Sequence, residues 1–229
     1  MGDLRARQHP RIQAVPSPVA IVGIRPLVTV PMSFDWAGIA AIIVAPIVAA
    51  LIYDFFFYWF HRAQHALAWW FHVVHHSIRE LNAANSYHHV SEPIFQAVFL
   101  LLPVSLIVTD TGPTVPAMLI VLHLQASFIH SPTSMNLGPL RLLFCDNKFH
   151  RIRHSLEEKH FDKNFGAFTT LWDRIFGTAW FPARSEWPET GLAEVDQPRN
   201  LGDWIDLPTR FQRLRRAARV PRSRADQAP

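Results

Sequence analysis

The chain has 229 residues and a net charge of +4, and 49% of its residues are hydrophobic while only 17% are charged. Soluble domains carry about 25% charged residues, so this composition excludes a wholly disordered chain and argues against an ordinary water-soluble domain. Cys145 is the only cysteine in the sequence, which excludes a disulfide scaffold and a zinc module built on cysteine pairs.

The domain organisation is predicted from where the apolar sequence begins and ends. Residues 1–18 are predicted to be a disordered tail, residues 19–181 a membrane domain and residues 182–229 a loop-rich cytoplasmic extension. Residues 209–224 contain seven arginines, which indicate either a patch that binds anionic lipid headgroups or a solvated tail. We find no pattern that indicates nucleic-acid binding.

Three long uncharged segments predict membrane-embedded helices, because about 20 apolar residues in a helix cross a bilayer core of about 30 Å. They are residues 36–53, which the aromatic run 55–60 extends, residues 93–109 and residues 111–129. The second and third segments are predicted to form a helical hairpin with its tip at residues 110–113. Residues 19–33 form a fourth helix if they also enter the membrane, although Arg25 interrupts them. The alternative, buried helices of a soluble protein, is disfavoured because little polar sequence remains to cover them.

The arginines predict the orientation of these helices. Arg62 and Arg79 follow the first segment and the C-terminal region is rich in arginine, whereas the hairpin tip contains neither lysine nor arginine. By the positive-inside rule, residues 61–91 and 148–229 face the cytoplasm. The sequence therefore predicts an all-α integral membrane bundle of three to four embedded helices. Its expected location is the inner membrane of a bacterial cell or, in a eukaryote, the membrane of the endoplasmic reticulum.

Histidine is concentrated in one part of the chain, since 12 of the 13 histidines lie between residues 61 and 160. Pairs and triplets recur at spacings of three and four residues, which place side chains on one face of a helix. All of these sets lie at the predicted cytoplasmic boundary, where they can converge on two metal ions. The predicted ligands are His61, His65, His72, His75, His76, His130, His150 and His154. Further ligands are expected among His89, His123 and His160.

The donor set narrows the class of metal site. Imidazole suits zinc, copper, iron and nickel, and eight histidines exceed what one tetrahedral zinc requires. A His-Glu-x-x-His motif is absent, which disfavours a zincin protease. The histidine motifs contain no carboxylate, so the site is not the Glu-x-x-His dinuclear bundle of ferritin-like proteins. Two other functions stay open on the residues alone: a membrane protein that binds or transports metal, and a zinc-dependent membrane lipid hydrolase.

Taken together, these motifs resemble the fatty acid hydroxylase and sterol desaturase superfamily of membrane non-haem di-iron oxygenases. The superfamily has histidine boxes of the forms HX3-4H, HX2-3HH and a late HX2HH. The matching stretches are His61/His65, His72/His75/His76, His89-x-x-Glu92, Phe128-Ile-His130-Ser131, Phe149-His-Arg-Ile-Arg-His-Ser155, Asp162-Lys-Asn-Phe-Gly166 and Trp172-Asp-Arg-Ile-Phe-Gly-Thr178. The resemblance covers about residues 36–182.

The resemblance implies a cytoplasmic cap of helices that holds two iron ions, with O₂ as co-substrate. It implies hydroxylation or desaturation of a sterol, fatty acyl chain or related lipid. The sequence contains no haem-binding or ferredoxin module, so electrons are expected from a separate donor of ferredoxin or cytochrome type with its reductase. Side chains expected to orient the imidazoles, or else to form ordinary caps and turns, are Asn82, Asn85, Asp146, Asp162 and Asn164.

Two positions depart from the superfamily pattern. Arg153 stands where the late box normally has the first histidine of its closing pair, and His89-Val90 lacks the usual proline. A guanidinium stays protonated and cannot ligate a metal. We therefore expect Arg153 to point away from the metals, toward Glu157 at i+4, and one metal to have altered coordination, completed by water, His123 or His160. An inactive relative is the alternative.

Overall fold

The computed structural model describes residues 28–30, 36–110, 114–135 and 137–219. The predicted disordered tail at residues 1–18 lies outside the described residues. So do most of residues 19–33, three residues of the predicted hairpin tip and the last ten residues of the chain.

The described chain is mostly helical, as predicted. The helices are α1 (Trp36–Leu67), α2 (Trp69–His76), α3 (Glu92–Gln96), α4 (Leu102–Ile107), α5 (Thr114–Ile129), α6 (Asn147–Arg153), α7 (Leu171–Ile175) and α8 (Leu201–Arg219). One turn of π-helix, Ala97–Leu101, joins α3 to α4, and short 3₁₀ turns occupy Gly138–Leu142 and Glu158–His160. The strands β1 (Val28–Val30) and β2 (Val108–Asp110) pair in parallel, with Val28 opposite Val108.

The three segments predicted to span a membrane differ in the form they adopt. The first lies within the 32-residue helix α1. The second is divided between α3, the π-helical turn and α4. The third lies in α5, whose 16 residues rise only about 24 Å. Within the ranges that the structure describes, we find no helix with both the length and the apolar character needed to cross a bilayer.

Helix α1 is the centre of the packing and lies against α5, the π-helical turn and α4. Its small residues Ala49 and Ala50 are buried against Phe168, which belongs to the segment that follows α6. A small side chain at these positions lets that segment approach the helix closely. The middle of α1 is thereby joined to a residue more than 100 positions later in the chain.

A buried carboxylate of α1 holds that later segment in place. Asp54 has no exposed surface. Its carboxylate accepts hydrogen bonds from the backbone N–H groups of Ala167 (3.1 Å), Phe168 (2.8 Å) and Thr169 (2.9 Å), and from the Thr169 hydroxyl (2.7 Å). A charge inside a protein is tolerated when hydrogen bonds replace its water. Asp54 therefore serves as the anchor of residues 167–169.

A second buried carboxylate holds the same segment from its other side. Asp173 accepts the backbone N–H groups of Phe165 and Gly166, each at 2.7 Å, and the Thr178 hydroxyl at 2.7 Å. A Cβ atom at Gly166 would lie 2.5 Å from the Thr169 carbonyl oxygen and 2.9 Å from Asp173 Oδ2. Glycine is required here because no side chain fits between the backbone and the carboxylate.

Helix α8 lies within residues 182–229, which the sequence predicts to be loop-rich, and here the structure differs. Leu207 and Phe211 recur at a spacing of four residues and are buried against Val73 and Val74 of α2. This apolar stripe is what stabilises the helix, since its other positions are largely exposed and rich in arginine. Arginines 210, 213, 215, 216 and 219 are thus part of an ordered helix that covers α2.

Replacing Asp54 by Asn tests the anchor. An amide retains the shape but loses the charge, and its NH₂ group would face backbone N–H donors, so we expect a loss of stability of about 3 kcal/mol. The matched control is Asp196→Asn, because Asp196 forms an exposed ion pair with Arg79 that is worth less than about 1 kcal/mol. Thermal unfolding followed by circular dichroism measures both. Equal, small losses in the two variants would contradict the assigned role.

Candidate metal centre

The predicted ligands come from four helix ends that meet in one place. Helix α1 supplies His61 and His65 from its last turns, and α2 supplies a further three histidines. His130 follows the end of α5, and His150 and His154 lie on and just after α6. Helix α6 begins where the Asp146 carboxylate accepts the Phe149 backbone N–H at 2.8 Å, a normal N-cap. The cap sets where the first histidine of the pair falls.

The eight imidazoles form two groups of four. In each group, one nitrogen from every residue lies within 4.8 Å of the others. The first group is His61, His65, His72 and His76, and the second group is His75, His130, His150 and His154. Seven of these residues are buried, and His65 is partly buried. The structure thus brings all eight predicted ligands together and divides them evenly.

Helix α2 contributes to both groups. His72 and His76 are four residues apart and share one face, whereas His75 is rotated by about 100° from His76 and faces the second group. The groups adjoin each other, because the His76 and His154 rings stack with centroids 4.7 Å apart. The short helix α2 therefore lies between the two groups and supplies histidines to both.

The separations between nitrogens match those of ligands on a common cation. His65 Nε2 lies 3.1 Å from His76 Nε2 in the first group. His150 Nε2 lies 3.0 Å from His130 Nε2 and 3.1 Å from His154 Nε2 in the second. Two imidazoles bound to one metal at about 2.0–2.1 Å have nitrogens about 2.9–3.4 Å apart. The arrangement fits a metal ion in each group.

Several buried nitrogens in the described centre have no hydrogen-bond partner from the protein. They are His61 Nε2, both ring nitrogens of His72 and His154 Nδ1. A buried polar atom without a partner costs about 1–3 kcal/mol. Metal coordination would satisfy His61 Nε2 and one nitrogen of His72, which agrees with the nitrogen spacing, whereas His154 faces its group through Nε2.

The imidazoles of the centre are also in the protonation state that metal binding requires. Burial is the largest cause that lowers the pKa of His61, His72, His75, His76, His150 and His154 well below the usual value. The pKa of His130 falls to about 4 for the same reason. A neutral imidazole is the form that ligates a metal, so these side chains are ready to bind at neutral pH.

The outward-facing nitrogens of several imidazoles contact carbonyl or carboxylate oxygens. His61 Nδ1 lies 2.9 Å from the Phe165 carbonyl, and His130 Nδ1 lies 2.7 Å from the Ala126 carbonyl. His65 Nδ1 contacts Asp162 Oδ1 at 3.1 Å. Where an Nδ1–H group donates to oxygen, as it can at His65 and His130, the ring presents the lone pair of Nε2 inward. At His61 the guanidinium of Arg153, which can only donate, lies against the same Nδ1. Of the five side chains expected to orient imidazoles, only Asp162 contacts one in the described residues.

The other four polar side chains have different contacts. Asn82 and Asn85 donate to the Glu80 carbonyl and shape a turn. Asp146 caps α6. Asn164 donates to the Phe149 and Trp180 carbonyls at 2.8 and 2.9 Å, and so joins α6 to the segment around Trp180. Caps and turns, the alternative that the sequence left open, account for these four.

Three further histidines expected near the metals lie outside both groups. His123 is exposed on α5. His160 is buried, but its nitrogens contact the Ser155 hydroxyl at 2.8 Å and Glu186 at 3.0 Å. His89 contacts the Ser91 hydroxyl. His88, which the sequence pattern did not single out, stacks its ring on that of His75 with centroids 4.1 Å apart. Its position next to His89 is the one sign of it in the sequence.

The prediction for Arg153 is wrong. Its side chain is buried within the centre, where Nη1 donates to the Phe165 carbonyl at 3.0 Å and lies 2.6 Å from His61 Nδ1, while Nη2 contacts His150 Nδ1. Helix α6 ends at Arg153, so Glu157 does not share a helical face with it and instead pairs with Lys159 at 2.9 Å. Burial lowers the pKa of Arg153 to about 10, so the guanidinium remains charged at pH 7.

Replacing His72 by Leu separates metal binding from folding. The change removes two buried nitrogens that have no protein partner, so we expect the metal-free protein to keep its stability or to gain about 1 kcal/mol. Metal affinity should fall at least tenfold because one of four imidazoles is lost. Metal titration and thermal unfolding measure the two effects, with His123→Leu as the control. Unchanged metal affinity in His72→Leu would contradict the first group as a site.

Comparison with known proteins places the chain in a family. Human alkylglycerol monooxygenase is 33% identical over 61% of this chain, and the zebrafish (Danio rerio) alkylglycerol monooxygenase is 34% identical over 55%. Ornithine lipid hydroxylase OlsE of Rhizobium tropici is 29% identical over 64%.

The chain spans only 31%, 28% and 45% of these three relatives, respectively. No solved structure matches significantly. The family model named Fatty acid hydroxylase matches residues 46–178, which is more than half of the chain and includes all eight grouped histidines. The chain therefore belongs to the fatty acid hydroxylase family.

Proposed function

We propose that the chain is a membrane-bound hydroxylase that uses two iron ions and O₂ to oxidise a C–H bond of a lipid. The observation that carries the proposal is the pair of adjoining groups of four neutral imidazoles in a member of the fatty acid hydroxylase family. The relatives are named for the monooxygenation of alkylglycerols and the hydroxylation of an ornithine lipid. Those names favour hydroxylation over desaturation.

In this proposal the first group holds one iron and the second group holds the other. Two irons bound there would supply O₂ activation and the oxidation of an unactivated C–H bond, with electrons from a separate donor protein of ferredoxin or cytochrome type and its reductase. The chain's own contribution is to keep the imidazoles neutral and directed. The Ala126 carbonyl and the Asp162 carboxylate fix the rings of His130 and His65, so that little rearrangement is needed on binding.

Aromatic side chains pack against the imidazoles of the first group. The Phe165 ring lies edge-on to the rings of His65 and His61, with centroids 4.9 Å and 5.6 Å apart, respectively. The Trp69 ring packs beside the rings of His65 and His76, with centroids 5.1 Å and 5.0 Å apart, respectively. An apolar lining strengthens the electrostatic interactions inside it and prevents side reactions with water. These rings would serve that purpose beside a lipid substrate.

The membrane placement is supported by apolar side chains that the fold leaves exposed. They belong to α1, the π-helical turn and α5, and examples are Ile47 (52% exposed), Phe99 (54%) and Leu124 (64%). Large exposed apolar surfaces mark contacts with membranes or partners. We propose that these faces lie against lipid, as an integral membrane enzyme of the inner membrane or the endoplasmic reticulum, with the metal centre toward the cytoplasm.

The test combines metal content with oxygen uptake. Purified protein should contain about two irons per chain, and O₂ uptake with a chemical or enzymatic electron donor should depend on added lipid. An alkylglycerol and an ornithine lipid are the first substrates to supply. His76→Ala and His75→Ala should each lower iron content by about one atom per chain and abolish the lipid-dependent O₂ uptake, since each removes a ligand from a different group.

The matched control is His123→Ala, which removes an exposed histidine outside both groups and should leave iron content and O₂ uptake unchanged. Zinc in place of iron, with release of water-soluble product and no O₂ uptake, would instead support a lipid hydrolase. Full activity in His76→Ala would contradict the assignment of the first group.

A further inference from the structure

A cavity of about 530 Å³ lies beside the first group of histidines. His65 and His76 line it directly, and Trp69 and Phe211 contribute apolar walls. Cavities of this size accommodate small ligands or the end of a larger one. Phe211 belongs to α8, which lies outside the region that matches the family model, so this wall is a feature of the present chain beyond the shared domain.

The cavity also reaches Arg153, which is only 5% exposed. Among the residues with described positions, no carboxylate forms an ion pair with this guanidinium, and its Nε atom has no partner. The nearby buried carboxylates Asp54 and Asp173 are occupied by backbone N–H groups and hydroxyls. A buried charge without a counter-charge is costly, so an anion in the cavity would be stabilised strongly.

Acidic side chains also line the cavity, and their exposure decides whether positive or negative charge dominates its inner end. Glu158, Asp162 and Glu194 are exposed, and Asp162 already contacts His65. Water and salt screen exposed charges effectively but screen a buried guanidinium much less. The inner end of the cavity is therefore dominated by Arg153, and exposed Arg215 adds a weaker positive charge.

We propose that this cavity binds an amphiphile through a phosphate or carboxylate group that pairs with Arg153, while its apolar part lies against Trp69 and Phe211. A guanidinium pairs with either kind of anion, and in Arg153 the donor without a protein partner is the Nε–H group, since both Nη atoms already contact the protein. The proposal rests on the proposed function, because it names the chemical class of substrate for the same centre. Arg153 occupies a ligand position of the superfamily pattern, and in this chain it contributes substrate recognition.

The test measures binding to the metal-free chain of 229 residues in nanodiscs of neutral lipid. Isothermal titration calorimetry compares octyl phosphate and octanoate with octyl glucoside, each below its critical micelle concentration. Wild-type protein should bind at least one of the two anions about tenfold or more tightly than the glucoside, and the comparison of the two anions distinguishes phosphate from carboxylate. Equal affinity for all three probes would overturn the proposal.

Variants assign the preference to Arg153. Arg153→Gln should abolish the preference for the anion, and Arg153→Lys should retain part of it. Arg215→Gln should change the affinity by no more than about threefold. The matched control is Arg213→Gln, which removes a neighbouring exposed arginine of α8 outside the cavity and should have no effect. An anion preference that persists in folded Arg153→Gln protein would contradict the assignment.

A variant at the cavity mouth keeps the test decisive if Arg153→Gln does not fold. Ala193 is exposed and lines the cavity, so Ala193→Trp should obstruct it without disturbing the core. Anion binding should then fall at least tenfold at an unchanged circular dichroism spectrum, and retained binding would overturn the proposal. Because no iron or turnover enters these measurements, their failure leaves the iron and O₂ results standing, and the reverse also holds.

Discussion

Placing eight imidazoles in one buried volume imposes an electrostatic constraint on the whole domain. Burial opposes protonation, and each ring opposes the protonation of its neighbours, so the set is stable only when the rings are neutral and their nitrogens have partners. The fold meets part of this need with backbone carbonyls at the outward nitrogens of His61 and His130. The inward nitrogens are left for one another or for cations. Asp54 and Asp173, whose carboxylates bind the backbone of residues 165–169, thereby also hold the Phe165 carbonyl in position.

Much of the centre could be predicted from the sequence, because a spacing of three or four residues places side chains together on any helix. His61 with His65, and His150 with His154, needed nothing more than this rule. The division between groups needed the structure, since which neighbour a ring meets depends on how α2 is rotated against α1 and α6. The choice of His88 over His89 also depends on a loop, where no helical period applies.

The other differences between the predictions and the structure also have local causes. The expected pair of Arg153 with Glu157 assumed a helix that continues, whereas α6 ends at Arg153. Helix α8 was obscured by its arginines, since only a narrow stripe that includes Leu207 and Phe211 faces the core. Asp54 could not be interpreted from the sequence, because its partners are backbone N–H groups of a distant loop and carry no residue signature. Contacts to backbone are invisible in a pattern of side chains.

The grouped histidines and one wall of the cavity lie in different parts of the sequence. The grouped histidines lie on α1, α2, α6 and the end of α5, all within the family region. The wall that includes Phe211 and Arg215 belongs to α8, outside it. Substitutions in α8 would therefore reshape this wall of the cavity while the first and second groups stay intact. Sites built from a rigid centre and a separate covering element commonly diversify in this way.

The Asp54 anchor also sets an order of events during biosynthesis. Its partners lie 113 to 115 residues further along the chain. Ribosomes add about 5–20 residues per second, so roughly 6 to 23 seconds separate the synthesis of the carboxylate from that of its last partner. Throughout that interval α1 carries an unsatisfied acidic group beside its apolar surface. The nascent helix must keep Asp54 hydrated or protonated until the ribosome has produced residues 167–169, so these contacts cannot form before that point of synthesis.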